Sequence, residues 1–273
     1  MPIDAIDGWQ DDHAAAAYAG FCQTHSMYRW SSRQLLDAIS CDADATLLDL
    51  CAGTGATTAE ALAGAGPDVR VYAIDNSAAM IRAGRRLLDD PRVHWICAPA
   101  EQVDRLGVLH APADAAVCNS AIWKTDVAAV VDGVAGCLRP GGRFAFNIGL
   151  GFLGETPPRR PADAGKQLTA AMRRLLRDRH GESEPQETTT KLTADQVKAV
   201  LQHAGFRDIR TWTAVYEGPV AEKVAWLGLP MFARPAGGPL SFEQKSALLV
   251  DAAASIESGS YFIDWRVFSA TRS

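Results

Sequence analysis

The 273 residues contain no C-x-x-C pair, and none of the six cysteines, at 22, 41, 51, 97, 118 and 137, has a histidine at a zinc-ligand spacing. No metal site is therefore expected, and the thiols read as reduced and mostly buried. Positive charge is not in excess either. Acidic residues number 32 against 27 basic ones, a formal net charge of -5, so no whole-chain field exists to collect polyphosphate. Nucleic acid is not expected as a partner. Long apolar runs are missing as well, since the longest, 144–153, is interrupted by Asn147 and is too short to cross a bilayer. The first twenty residues carry Asp4, Asp7, Asp11 and Asp12 and lack the basic start and apolar stretch of a secretory signal. The expectation is a cytoplasmic protein, monomer or homodimer, with no membrane partner. Glycine and proline, 23 and 14, are too few for a collagen-like or low-complexity chain, and a 48% hydrophobic content excludes wholesale disorder. No repeat of fixed period is visible, which removes solenoids and propellers.

What is present is an alternation of strand and helix. Thr46 to Leu50 is a short apolar run, followed by a glycine turn, Cys51 to Gly55, and an Ala-rich helical stretch, Ala56 to Ala63. Val69 to Ile74 is β-branched and aromatic and ends at Asp75. Ser77 then caps a predicted helix with Met80, Ile81, Gly84, Leu87 and Leu88 on one side. Val93 to Cys97, Ala113 to Cys118 and Arg143 to Ile148 read as three more strands. A helix over Val127 to Leu138 and a turn at Arg139-Pro140-Gly141-Gly142 lead into the last of them. Strands separated by crossovers of this length pair in parallel, so residues 41–150 are predicted to form a doubly wound α/β unit.

After Gly149 the character changes. Prolines at 157, 158, 161 and 185 and an arginine cluster at 173, 174, 177 and 179 mark a cover insertion over about 151–190. Thr193 and Gln196 occupy capping-box positions of a helix that stops at Gly205. Arg207 to Tyr216 and Trp265 to Ala270 return to the sheet, separated by a second insertion, 217–260, with its own helix capped by Ser241 and Gln244. The expected fold is α/β: a doubly wound, seven-stranded, mostly parallel sheet over 41–273, with a helical cap over 1–40 and two helical cover insertions.

Ligands of such sheets sit beyond the carboxyl ends of the strands. Here the first turn reads D-L-C-A-G-T-G over 49–55, and its glycines allow close approach of backbone to a ligand. A dinucleotide fingerprint would need a third glycine where Thr58 stands, and a phosphate loop would need a lysine that is missing. Asp75 closes the second strand, twenty positions past Gly55, where a carboxylate can accept from both hydroxyls of a ribose. The ligand suited to this pattern carries a ribose and needs no phosphate.

These residues resemble the class I S-adenosylmethionine-dependent methyltransferases. The matching elements are L-L-D-L-C-A-G-T-G (47–55), Y-A-I-D-N-S-A-A-M (72–80), V-H-W-I-C-A-P-A-E-Q-V (93–103), A-D-A-A-V-C-N-S-A-I-W (113–123), L-R-P-G-G-R-F-A-F (138–146) and H-A-G-F-R-D-I (203–209). The resemblance implies a Rossmann-like methyltransferase fold and S-adenosyl-L-methionine as cofactor. It implies Asp49, Cys51, Ala52 and Gly53 around the methionine moiety, Asp75 on the ribose, and Asn76 and Met80 against the adenine. Pro99 stands where many members have an adenine-binding Asp, so Glu101 or a backbone group is expected to substitute, and Ala100 and Glu101 are counted with the cofactor-binding residues. Asn119, Ser120 and Ala121 would line the place where sulfonium and acceptor meet. Tyr28 and Arg33 belong to N-terminal helices that in this family close over the cofactor.

The catalytic candidates are His25 and Tyr28 as bases, Trp123 as an aromatic face for the sulfonium or the acceptor, and Asn147 as a polar group in an apolar strand. Competing structural readings stand beside several of these residues: a structural role for His25, core packing for Trp123, a satisfied buried amide for Asn147 and, among the cofactor candidates, a solvated helix face for Arg33. The N/D-P-P-Y/F motif that resemblance ties to DNA and amide-nitrogen targets is missing, with Asn119-Ser120-Ala121-Ile122 in its place. Trp226, Leu227, Leu229, Met231 and Phe232 in the second insertion suit a covered pocket for a small organic acceptor. Methyl transfer by in-line displacement, in specialised metabolism, is the leading expectation. Two alternatives stay open, because the local site and not the fold decides the reaction. One is a lyase-type enzyme that cleaves or cyclises the cofactor; the other is a binding module without catalysis.

Overall fold

A computed structural model describes residues 8–40, 44–181, 192–233 and 240–273. Asp4, Asp7, Cys41, Pro185 and the parts of the two insertions at 182–191 and 234–239 lie outside the described residues. Two helices come first, α1 (Asp12–Thr24) and α2 (Met27–Ile39). The alternating stretch follows as β1 (Thr46–Leu50), α3 (Ala56–Gly64), β2 (Arg70–Asp75), α4 (Ala78–Leu87), β3 (Val93–Cys97), β4 (Ala113–Cys118), α5 (Val127–Cys137) and β5 (Leu138–Gly149). The remainder is α6 (Ala164–His180), α7 (Ala194–His203), β6 (Phe206–Pro219), α8 (Val220–Leu227), α9 (Pro230–Ala233), α10 (Phe242–Ala254) and β7 (Ser260–Arg272). Among the described residues no helix is long and apolar enough to cross a membrane.

The sheet has the order β3-β2-β1-β4-β5-β7-β6. β1 to β5 pair in parallel, and β7 runs antiparallel to both β5 and β6, which makes the seven-stranded sheet mostly parallel as expected. Helices bury both faces. On one, Leu48, Leu50, Phe144, Phe146 and Phe268 pack against Val130, Val131 and Val134 of α5; on the other, Leu47, Val71, Val117 and Val267 meet Leu35 and Ile39 of α2. Each such side chain taken from water contributes about 2 kcal/mol, and this is why the central strands read as unbroken apolar runs. The helices start where short polar side chains accept from orphan amides: Asp11 from Ala14 N at 2.8 Å, Ser77 from Met80 N at 3.1 Å, and both capping boxes, Thr193/Gln196 and Ser241/Gln244.

Two details correct the sequence reading. Arg139-Pro140-Gly141-Gly142 is no separate turn but the opening of β5, which bulges there: Ala113 faces Leu138 while Ala115 faces Arg143. Gly142 permits it, because a Cβ would lie 2.8 Å from the Arg139 carbonyl oxygen. Glu217–Pro219, read as the start of the second insertion, instead continue β6 and pair with the first residues of β7. This geometry places the covers. β5 and β6 end, and β7 begins, at the edge where the glycine turn lies, so both insertions emerge above it. The cap joins them there, with Phe21 and Met27 packed among Met80, Tyr216, Tyr261 and Trp265. Glu222 of α8, 2% exposed, secures this junction by accepting from Met27 N at 3.0 Å, Tyr216 Oη at 2.6 Å and Tyr261 Oη at 3.2 Å.

Candidate functional site

After β2 and β3 the chain crosses back to form β4, so a crevice opens beyond the ends of β1 and β4. A cavity of about 990 Å³ fills it, bounded by the loops after all five parallel strands and roofed by the cap and the covers. One end is polar. Gly53, with φ +56°, turns its amide onto Asp75 Oδ2 at 2.8 Å, and Ser77 N reaches Oδ1 at 2.8 Å. Two accepted bonds leave the carboxylate with lone pairs to spare toward the cavity. Burial raises the pKa of Asp75, opposed by the two amides and by the charge of Lys124. Asn76, Pro99, Ala100 and Glu101 continue this wall. Glu101 also accepts from Asp126 N at 3.2 Å. Above them Gln10 Nε2 donates to the Asn76 carbonyl at 3.3 Å, and Ser77 Oγ donates to the Trp9 carbonyl, which holds the start of the cap over this end.

The middle of the cavity is a locked turn. Ser120 has φ +57°, a strained conformation for a residue with a side chain, and its amide donates to Asn147 Oδ1. Asn147 Nδ2 donates to Asn119 Oδ1 at 3.0 Å, and Asn119 Nδ2 reaches Ser31 Oγ and Ser32 Oγ, each at 3.0 Å. Ser32 Oγ lies 2.9 Å from Thr57 Oγ1, so α2, α3, β4 and β5 meet in one polar network. Deleting any member leaves its buried partners unpaired, at about 1–3 kcal/mol each.

The other end is aromatic. Trp123 and Phe152 stack with ring centroids 3.6 Å apart, and Tyr28 lies 5.4 Å from Tyr18. Tyr28 Oη accepts from Trp226 Nε1 at 3.1 Å, which fastens α8 to the cap. Burial pushes the Tyr28 phenol well above its ordinary range, so it stays protonated. Lys124 lies 4.2 Å from the ring centroid of Trp9 and 5.3 Å from that of Trp123. Lys223 stands over Trp226, and burial lowers its pKa to about 8.

Of the residues singled out in the sequence, Tyr28, Cys51, Gly53, Asp75, Asn76, Ala100, Glu101, Asn119, Ser120, Ala121 and Trp123 line this one cavity. The others do not reach it. Asp49 turns beneath the glycine loop and accepts from Thr58 Oγ1 at 2.7 Å. Ala52 and Met80 are buried behind the wall. Asn147 acts on the Asn119–Ser120 turn from below. Arg33 points outward to Glu60, at 2.7 Å, with 63% of its side chain exposed. His25 packs its ring on Phe21, centroids 4.6 Å apart, because the chain turns there from α1 into α2 and carries it away from the cavity. Sequence reasoning missed Trp9, Lys124, Lys223 and Tyr261, which lie outside the family-like elements. Trp226 was noticed, but as general apolar lining.

Residues 47–142 match the model of a methyltransferase domain family. Trans-aconitate 2-methyltransferase of Azoarcus sp. (strain BH72) is 34% identical over 119 residues, 43% of this chain and 44% of that protein. The match thus spans less than half the length of that curated relative. Among solved structures, phosphoethanolamine N-methyltransferase 2 of Haemonchus contortus, in complex with phosphomonomethylethanolamine and S-adenosylhomocysteine, is similar with a TM-score of 0.58 at 14% identity, over 99% of this chain and 60% of that one. A protein of Bacillus halodurans C-125 is similar with a TM-score of 0.53 at 14% identity, over 89% of this chain and 99% of that one. At such identities the two structures establish the shared architecture alone, a Rossmann-like methyltransferase fold.

Proposed function

We propose that this chain, whose residues 47–142 match the model of a methyltransferase domain, is an S-adenosylmethionine-dependent methyltransferase acting on a small organic acceptor. One observation carries this reading: a single cavity joins a polar end built around Asp75 to an aromatic end closed by Tyr28, Trp123 and Trp226. The polar end fits the cofactor. Asp75 has acceptor capacity for two ribose hydroxyls. Gly53 adds no side chain of its own to the turn, beside which the Tyr18 ring lies 3.5 Å from where a Cβ would sit, and Asn76, Ala100 and Glu101 flank the adenine end. The relative from Azoarcus is named for a carboxylic acid acceptor, which agrees with a small substrate.

When bound, the sulfonium supplies an electrophilic methyl carbon. The protein's task is then alignment, because an in-line displacement needs nucleophile, carbon and sulfur held collinear near contact distance. Asn119, Ser120 and Ala121 sit between the two ends, and the network through Asn147, Ser31 and Ser32 keeps their turn rigid. Tyr28, Trp123 and Phe152 exclude water and bound the acceptor. Neither His25, turned away, nor Tyr28, held protonated, is proposed as a base.

Calorimetry with S-adenosylmethionine, followed by product analysis on candidate acceptors, tests the reading. Binding, with S-adenosylhomocysteine released in step with a methylated acceptor, is expected. Absence of binding overturns it in favour of a binding module with another ligand. Methylthioadenosine formed without any acceptor overturns it in favour of cofactor cleavage.

A further inference from the structure

The aromatic end of the cavity holds a positive charge that no acid among the described residues pairs with. Lys223 of α8 lines the cavity, its Nζ 4.2 Å from the ring centroid of Trp226 and 5.9 Å from that of Tyr261. Among the described residues it forms no ion pair. The acids around it are engaged elsewhere. Asp163 caps α6, accepting from Lys166 N at 3.0 Å with Lys166 Nζ at 3.6 Å, and acts on Lys223 only through its charge. Asp264 holds Arg160 in a bidentate pair at 2.6 and 2.8 Å. Glu222, the preceding residue, spends both oxygens on Met27, Tyr216 and Tyr261. Lys223 therefore remains as an ammonium among rings, in the first turn of a helix whose dipole also disfavours a cation. Burial without a partner holds its pKa near 8, the mark of a charge that gains from meeting an anion.

We propose that Lys223 anchors a carboxylate of the acceptor, and that the substrates are small carboxylic acids whose apolar part lies against Trp123, Phe152 and Trp226. This rests on the methyltransferase reading and narrows it to a substrate class. An anion on Lys223 completes a charge without an ion pair among the described residues, while the rings take up the remainder of the molecule. The segment that supplies Lys223 is an insertion after β6, so this recognition belongs to the cover and not to the cofactor-binding half.

Calorimetry on the protein saturated with S-adenosylhomocysteine tests the proposal with phenylacetate and its neutral isostere phenylacetamide. Wild type and Lys223→Arg should prefer the carboxylate by about tenfold or more, and Lys223→Met should bind the two equally. Because Asp163, Lys166, Arg160 and Asp264 are already paired, the preference should fade as pH rises from about 7 to about 9 and the amine loses its proton. Equal binding by wild type, a preference that survives in Lys223→Met or is lost in Lys223→Arg, or failure of both probes at about 20 mM overturns the proposal. S-adenosylhomocysteine affinity is read first and separately. If wild type does not bind it, the methyltransferase reading fails; if wild type binds it and the probes show no preference, only the carboxylate anchor fails.

Discussion

Asp49 lies under the glycine turn with 1% of its surface exposed, and the hydroxyl and amide of Thr58 donate to its carboxyl group. Among the described residues no cation pairs with it, and burial, aided by the charge of Asp75, raises its pKa from 3.8 to about 7. A carboxyl whose folded pKa exceeds its unfolded one is held best when protonated. The fold therefore loses stability as pH climbs from about 4 to about 7, because ionised Asp49 must then be buried. At about 1.4 kcal/mol per pH unit the whole effect is about 4 kcal/mol, of which about 3 falls between about pH 5 and about pH 8.5. Asp49→Asn removes the ionisation and keeps an oxygen for Thr58, but leaves an amide NH2 unpaired at about 1–3 kcal/mol whatever the pH. The stability of the variant relative to wild type should thus move in its favour by about 3 kcal/mol across that interval. Urea unfolding followed by tryptophan fluorescence at the two pH values measures it, provided the m-values agree. A difference that does not change with pH would refute the reasoning, since it would mean that Asp49 is ionised and compensated in the native state.

Asp75→Ala should weaken S-adenosylhomocysteine binding about a hundredfold or more, since two charge-assisted hydrogen bonds to the ribose are lost; affinity within about threefold of wild type in calorimetry would remove Asp75 from the sugar. Glu222→Ala strands three donors at the junction of cap and covers and should cost about 3–5 kcal/mol in urea unfolding, with Glu222→Gln closer to wild type. A loss under about 1 kcal/mol would show that this junction does not need the carboxylate. Gly55→Ala forces φ +87° on a residue with a Cβ only 2.6 Å from the Trp95 ring and should cost about 2–4 kcal/mol, whereas Gly64→Ala, with open space around its Cβ, should be neutral or stabilising. Equal effects of the two in thermal unfolding would argue against the close packing of Trp95 on the turn.

Much of this architecture was legible from local sequence. β1 and β4 have the bounds that their apolar runs suggested, and both capping boxes form as read. The glycine turn and Asp75 lie side by side, as a parallel neighbour strand requires. The Pro-Gly-Gly stretch misled because a bulge inside a strand uses the same residues as a turn outside one. The resemblance set Asp49 at the cofactor, and a cap helix expected to close over it set Arg33 there, but the turn folds the first beneath itself and the exposed face of α2 carries the second to Glu60.

By itself the sequence determined the raw material of the strands and helices: hydrophobic period and cap chemistry follow from neighbours a few residues apart, and the pairing of the glycine turn with Asp75 follows from two adjacent parallel strands. Only the tertiary structure decided which side chains share the cavity. Trp9, Tyr28, Trp123, Lys223 and Tyr261 converge from the cap, a loop after β4, an insertion and the start of β7. Packing of those segments over one sheet edge brings them together, and no local pattern encodes a contact between Tyr28 and Trp226, 198 positions apart.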